Sequence, residues 1–180
     1  MYDFMIELTT KNIEETQEIA SIIGEMLADS VCLSSQGICV ALQGDLGAGK
    51  TFFVQQIAKV VQVDGQDVVS PTFSIVHEYN GMWKDRSLSI LHMDLYRLEA
   101  EDIPNLALEE MLEEQSGLAF VEWATMFPYI LPKNTMHIHI EHHADTEEGR
   151  KIRIHTTSTF LQDALQKCAV RCNSLCSVEA

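Results

Sequence analysis

Positive charge is scarce in this chain of 180 residues: 12 Lys and Arg stand against 27 Asp and Glu, for a formal charge of −15. Non-specific binding to a phosphate backbone needs the opposite sign, so the surface is not built to grip nucleic acid directly, and any RNA would be held by a partner. Long apolar runs are missing too. None approaches the roughly 20 residues of a membrane span, and the N-terminal MYDFMIELTT lacks the basic region and apolar core of a secretion signal. The five cysteines include no C-x-x-C pair, and their odd number points to reduced thiols rather than a disulfide framework. Together these absences predict a cytoplasmic protein. With 46% apolar residues and no linker, repeat or low-complexity segment, residues 1–180 read as one globular domain, with 168–180 a tail or the end of the last helix.

What is present is concentrated in one stretch. GDLGAGKT, Gly44 to Thr51, fits G-x-x-x-x-G-K-[ST] at every fixed position. The apolar run Ile38 to Leu42 before it reads as a buried strand, and TFFVQQIAKVV, Thr51 to Val61, as the helix that follows. That is the context in which glycines let backbone amides turn around phosphate oxygens at a helix N-terminus. Lys50 is the mobile cation for the outer phosphates and Thr51 a hydroxyl ligand for Mg²⁺. The stretch therefore predicts nucleoside triphosphate binding.

Elsewhere, strand-like and helix-like runs alternate. A short strand is expected at Met5 to Leu8, then a helix capped by Asn12 with Ile19, Ile22, Ile23, Met26 and Leu27 on one face. FSIVHEY, Phe73 to Tyr79, and SLSILHMD, Ser87 to Asp94, flank Asn80-Gly81 and read as a hairpin with a somewhat long connection. Glu101 to Glu114 reads as an acidic helix, Leu118 to Glu122 as a short buried strand, Met136 to Glu141 and Lys151 to His155 as a strand pair across a polar turn, and a last helix begins near Ser158. The expected fold is α/β: a three-layer P-loop arrangement around a mixed, mostly parallel sheet.

Asp94 and Glu122 each end an apolar strand, where open α/β sheets place ligand-binding groups. A P-loop enzyme needs an acid near Mg²⁺ and a group that orients the attacking water; the bare sequence offers both carboxylates without assigning them. Ser70-Pro71-Thr72-Phe73, between the P-loop and the hairpin, reads either as a segment that senses the terminal phosphate or as an ordinary turn.

GDLGAGKT, SPTFSIVHEY, HMDLYRL and FVEWA, in this order from Gly44 to Ala124, resemble the TsaE (YjeE) family, small bacterial P-loop ATPases required for threonylcarbamoyladenosine formation in tRNA. The resemblance implies that Asp45, Leu46, Gly47, Ala48, Gly49, Lys50 and Thr51 wrap the phosphates of ATP, that Thr51 and Glu122 hold Mg²⁺, and that Asp94 and Lys50 support hydrolysis. It also implies that Trp123 lies near the nucleotide and Gly149-Arg150 near the base. The implied partners are the threonylcarbamoyltransferase subunit TsaD and its companion TsaB, a complex that hydrolysis would reset between rounds of modification.

The chain departs from the family in places. Phe52 stands where a second Thr is usual, and Thr16 matches a position that borders the adenine in relatives, although a Thr within a helix is more often structural. Cys168, Cys172 and Cys176 recur every four residues and read as a small apolar stripe rather than a metal site. His137 and His139, with His142 and His143 beyond, read as solvated strand histidines. Of the competing functions, a GTPase would need an N-K-x-D motif, which is absent, and a small-molecule kinase would need an Arg-rich lid. Only Arg86, Arg97, Arg150 and Arg153 lie between the P-loop and the end of the strand region.

Overall fold

The computed structural model describes residues 4–34, 36–65, 67–173 and the backbone of 177–179. The chain runs β1 (Phe4–Thr9), α1 (Ile13–Ser34), β2 (Ile38–Gln43), α2 (Lys50–Val60), β3 (Val76–Trp83), β4 (Arg86–Asp94), α3 (Ile103–Leu106), α4 (Leu108–Glu114), β5 (Leu118–Glu122), β6 (Met136–His142), β7 (Arg150–Thr156), α5 (Thr159–Cys172) and β8 (Ser177–Glu179), with two 3-10 turns at Ala124–Met126 and Pro128–Ile130. Local chemistry sets several of these bounds. Asn12 caps α1, its Oδ1 accepting from Glu15 N at 2.8 Å while the Glu15 carboxylate accepts from Lys11 N at 2.8 Å. Ser158 caps α5.

Among the described residues one sheet has the order β3-β4-β5-β2-β6-β7-β1-β8. Strands β4, β5, β2 and β6 run parallel, while β3–β4, β6–β7, β7–β1 and β1–β8 pair antiparallel. The sheet is mixed, as expected, but its parallel part is confined to these four central strands. Parallel neighbours need a crossover; β3–β4 and β6–β7 instead join as hairpins, and the early strand β1 adds antiparallel between β7 and β8.

Alternation along the central strands divides the core into two layers. Ile38, Val40 and Leu42 of β2, Leu88 and Ile90 of β4, and Leu118 and Phe120 of β5 face the cluster built with α1, α2 and α5. Cys39 and Ala41, Leu91 and Met93, and Ala119 and Val121 face the cluster built with α3 and α4. His92, Asp94 and Glu122 therefore lie on the α2 side of their strands by register alone. Burial pushes the Cys39 thiol up to about 11. Cys168 and Cys172 are buried in the α1/α2/α5 cluster; Cys176 lies outside the described residues. On β6 and β7, half-exposed His137 and His155 stack with ring centroids 4.7 Å apart, Arg153 pairs with Glu141, and Lys151 pairs with Glu7 of β1 at 2.6 Å.

Three local expectations are corrected. Asn80-Gly81 does not make the hairpin turn but lies within β3, and the turn is Lys84-Asp85, both with left-handed φ of 47° and 62°, as a two-residue hairpin of the primed type requires. Gly81 has a different purpose: Met82 N donates to the Val61 carbonyl at 2.7 Å, and a Cβ on Gly81 would come within 2.3 Å of that oxygen. The strand expected from Phe73 starts only at Val76, because Pro71 to Ile75 close a turn with Ile75 N donating to Pro71 O at 2.6 Å and Ile75 at φ 69°. The acidic helix expected over Glu101 to Glu114 is two helices, broken where Ala107 takes a left-handed φ of 50°.

Candidate functional site

Strand β2 ends at Gln43 and α2 begins at Lys50, so Gly44 to Gly49 form the loop between a central strand and a helix N-terminus. Gly44, Gly47 and Gly49 take φ of 137°, 80° and 105°, a region that only glycine enters freely. The first amides of α2 have no intrahelical acceptor, no side chain among the described residues caps them, and no acid lies in the first turn. The positive end of the helix is thus left uncompensated, which favours an anion. Asp45, Leu46 and Gly47 are exposed along the loop, and Ala48 is buried beneath it.

Lys50 is folded back into this loop. Its Nζ donates to the carbonyls of Gly44 at 2.7 Å and Asp45 at 2.9 Å and lies 3.9 Å from the centroid of the Trp123 ring. Burial lowers its pKa from the ordinary 10.5, against the opposing pull of Glu122, Asp94 and Asp45. Trp123 follows β5 directly in a left-handed conformation, φ 61°, with its amide donating to Leu42 O at 3.1 Å. Tyr96 packs on it, ring centroids 4.8 Å apart.

The two carboxylates are wired differently. Thr51 Oγ1 donates to Glu122 Oε1 at 2.7 Å, and His92 Nε2 makes a 2.9 Å hydrogen bond to the same oxygen. Asp94 Oδ2 accepts from Ser70 Oγ at 2.7 Å and Thr72 Oγ1 at 2.6 Å, and its Oδ1 accepts from Tyr96 N at 3.0 Å. The Ser70 to Phe73 segment is thus docked on Asp94, while Phe73 itself stays exposed under the Arg97 guanidinium, 4.3 Å from its ring centroid. Among the described residues no three His, Cys, Asp or Glu side chains converge as a metal cluster. A cation here would rely on the Thr51 hydroxyl, one carboxylate and oxygens of its ligand, a set of hard donors that suits Mg²⁺.

Gly149 and Arg150 reach the site from the start of β7. Arg150 Nε donates to Ala48 O at 2.8 Å, and its Nη1 donates to Gly149 O at 2.7 Å. The Arg150 amide donates to Thr10 Oγ1 at 2.9 Å, and that hydroxyl is hydrogen-bonded to Thr16 Oγ1 at 2.7 Å. Thr16 also donates to Asn12 O at 3.1 Å, so its hydroxyl serves the entry to α1. Lys50, Thr51, Trp123, Glu122 and Asp94 are brought together, and Arg150 touches the loop from outside. His92 and the Ser70/Thr72 clamp on Asp94 escape sequence reasoning. The one available signal for His92 is its place two residues before Asp94, which puts both on one strand face.

The chain matches the family model described as Threonylcarbamoyl adenosine biosynthesis protein TsaE over residues 10–152. It is 38% identical over 138 residues to the tRNA threonylcarbamoyladenosine biosynthesis protein TsaE of Bacillus subtilis, covering 77% of this chain and 78% of that one. It is 31% identical over 160 residues to the Rickettsia felis protein of the same name, covering 88% and 86%, and 34% identical over 130 residues to that of a Nostoc species, covering 71% and 73%. The crystal structure of Bacillus subtilis YdiB superposes with a TM-score of 0.69 at 27% identity, over 95% of this chain and 98% of that one. With the family model spanning both the loop and the strand-end carboxylates, the chain belongs to the TsaE family, whose members take part in threonylcarbamoyladenosine biosynthesis in tRNA.

Proposed function

We propose that this chain binds ATP with Mg²⁺ at Gly44 to Thr51 and transfers the terminal phosphoryl group to water, acting on the threonylcarbamoyltransferase TsaD and its companion TsaB. The observation that carries the reading is the 2.7 Å hydrogen bond from Thr51 Oγ1 to Glu122 Oε1. By giving its proton to the carboxylate, the hydroxyl keeps its lone pairs for a cation in front of the phosphate loop. Bound Mg²⁺·ATP would supply the reacting phosphorus and neutralise its oxygens. Lys50, already inside the loop, offers its ammonium to the outer phosphates. Asp94 lies beside Glu122 and binds the Ser70 to Thr72 segment, which suits a group that arranges the attacking water and the loop covering it. Trp123 walls the site beside Lys50.

The absence of an N-K-x-D motif favours ATP over GTP, and the few arginines around the site disfavour transfer to a small-molecule acceptor. A formal charge of −15 favours contact with tRNA through partners rather than directly. The deciding experiment measures ATP hydrolysis by the purified chain alone and with both partners. Turnover that rises with the partners and needs Mg²⁺ supports the reading; no binding of Mg²⁺·ATP in either setting overturns it.

A further inference from the structure

We propose that His92 is a positioning residue for Glu122, an inference that rests on the Mg²⁺·ATP reading above. His92 lies two residues before the end of β4, fully buried, in register with His77 of β3 and Phe120 of β5. Its side chain points to the α2 face amid apolar neighbours such as Ile90 and Phe120, where an aliphatic residue would pack without any polar atom to satisfy. Its Nδ1 has no hydrogen-bond partner among the described residues, a costly condition for a buried polar atom. Among the described residues the only hydrogen bond it makes is the 2.9 Å contact from Nε2 to Glu122 Oε1.

That contact has a direction. A carboxylate only accepts, so the His92 Nε2–H is the donor, and Oε1 receives both it and the Thr51 hydroxyl. The terminal torsion of a glutamate is broad and weakly restrained by itself. Two donors converging on one oxygen from different elements, α2 and β4, fix that torsion and leave Oε2 as the oxygen with no hydrogen bond among the described residues. His92 thereby orients Glu122 toward the cation without touching cation or nucleotide, as buried partners of metal-binding carboxylates do elsewhere.

Two nearly isosteric replacements separate this role from simple core filling. His92→Gln places an amide N–H where Nε2 lies; His92→Met has the same reach and no donor. ATP binding is titrated across a Mg²⁺ series, and again with the metal chelated. His92→Gln is expected to keep the wild-type Mg²⁺ requirement within about threefold. His92→Met is expected to need about tenfold or more Mg²⁺ for half-maximal effect, with metal-free ATP affinity unchanged. If His92→Met does not fold, His92→Asn replaces it, because its amide is too short to reach Glu122. Equal Mg²⁺ dependence in the donor and donor-less variants overturns the positioning role. A wild-type chain whose ATP binding ignores Mg²⁺ overturns the nucleotide reading itself, and this inference with it.

Discussion

Asp94 and Glu122 are register partners at the ends of the adjacent parallel strands β4 and β5, yet among the described residues they share no hydrogen-bond partner: Glu122 is bound by Thr51 and His92, Asp94 by Ser70, Thr72 and the Tyr96 amide. One acid is tied to the first turn of α2 and the other to the Ser70 to Thr72 segment. The difference turns two similar strand-end carboxylates into two distinguishable tests.

Glu122→Ala is expected to make ATP affinity much less sensitive to Mg²⁺ and to lower hydrolysis, because the Thr51 hydroxyl and the cation lose their shared acid. Asp94→Ala is expected to leave Mg²⁺·ATP bound while single-turnover hydrolysis falls, and to speed amide hydrogen exchange over residues 70 to 75, which lose their anchor. Binding and single-turnover rates measured for both variants across a Mg²⁺ series check this. Loss of Mg²⁺-dependent binding in Asp94→Ala alone would reverse the assignment.

Lys50→Met is expected to weaken ATP binding by about tenfold to a hundredfold, the range for losing a charge-assisted hydrogen bond. A second signature is pH-dependent. Burial holds the folded-state pKa of Lys50 below the ordinary 10.5, so the unfolded chain binds the proton more tightly and wild-type stability gains as pH rises through the interval between the two values. The stability of wild type relative to Lys50→Met should therefore increase toward pH 10.5. Denaturant unfolding of both proteins at a series of alkaline pH values measures it.

Arg150→Ala should loosen the phosphate loop by removing the hydrogen bond to Ala48, while the backbone pairing with Thr10 persists. Faster amide exchange in residues 45 to 49 and an ATP affinity lowered about threefold to tenfold are expected. Arg150→Lys should not restore either, since an ammonium cannot reproduce the fork that reaches Ala48 and Gly149 together. Full rescue by Lys would mean that only the charge matters.

Gly81→Ala is expected to destabilise the fold by about 1–3 kcal/mol through overpacking against Val61, with ATP affinity unchanged. Asp85→Gly, at a turn position with φ 62°, should be neutral or stabilising by up to about 1 kcal/mol. Urea midpoints for the two variants decide whether Asn80-Gly81 or Lys84-Asp85 is the turn.

That hairpin shows where the sequence was readable and where it was not. The loop of Gly44 to Gly49 between β2 and α2, strand β5 and the strand-end positions of the two acids were legible because a fixed motif and unbroken apolar runs carry them. Asn80-Gly81 looked like a turn because the same glycine that suits a turn also suits a close backbone approach, and only the fold shows Val61 waiting there. The break at Ala107 was hard to read, since no Gly stands there and Pro104 falls in the first turn of α3, where a proline suits a helix. His92 was hidden for a related reason: its partner lies 30 residues away on another strand, and no local spacing records a contact made by strand pairing.

Lys50 already has two carbonyl acceptors and an aromatic face. A phosphate binding there as proposed would exchange partners with a side chain that folding has already ordered. Fixing such a side chain on binding costs about 0.5–1.5 kcal/mol, and here most of that entropy is lost when the chain folds. The heat of association should accordingly be modest, because the hydrogen bonds formed to phosphate replace those given up to Gly44 and Asp45.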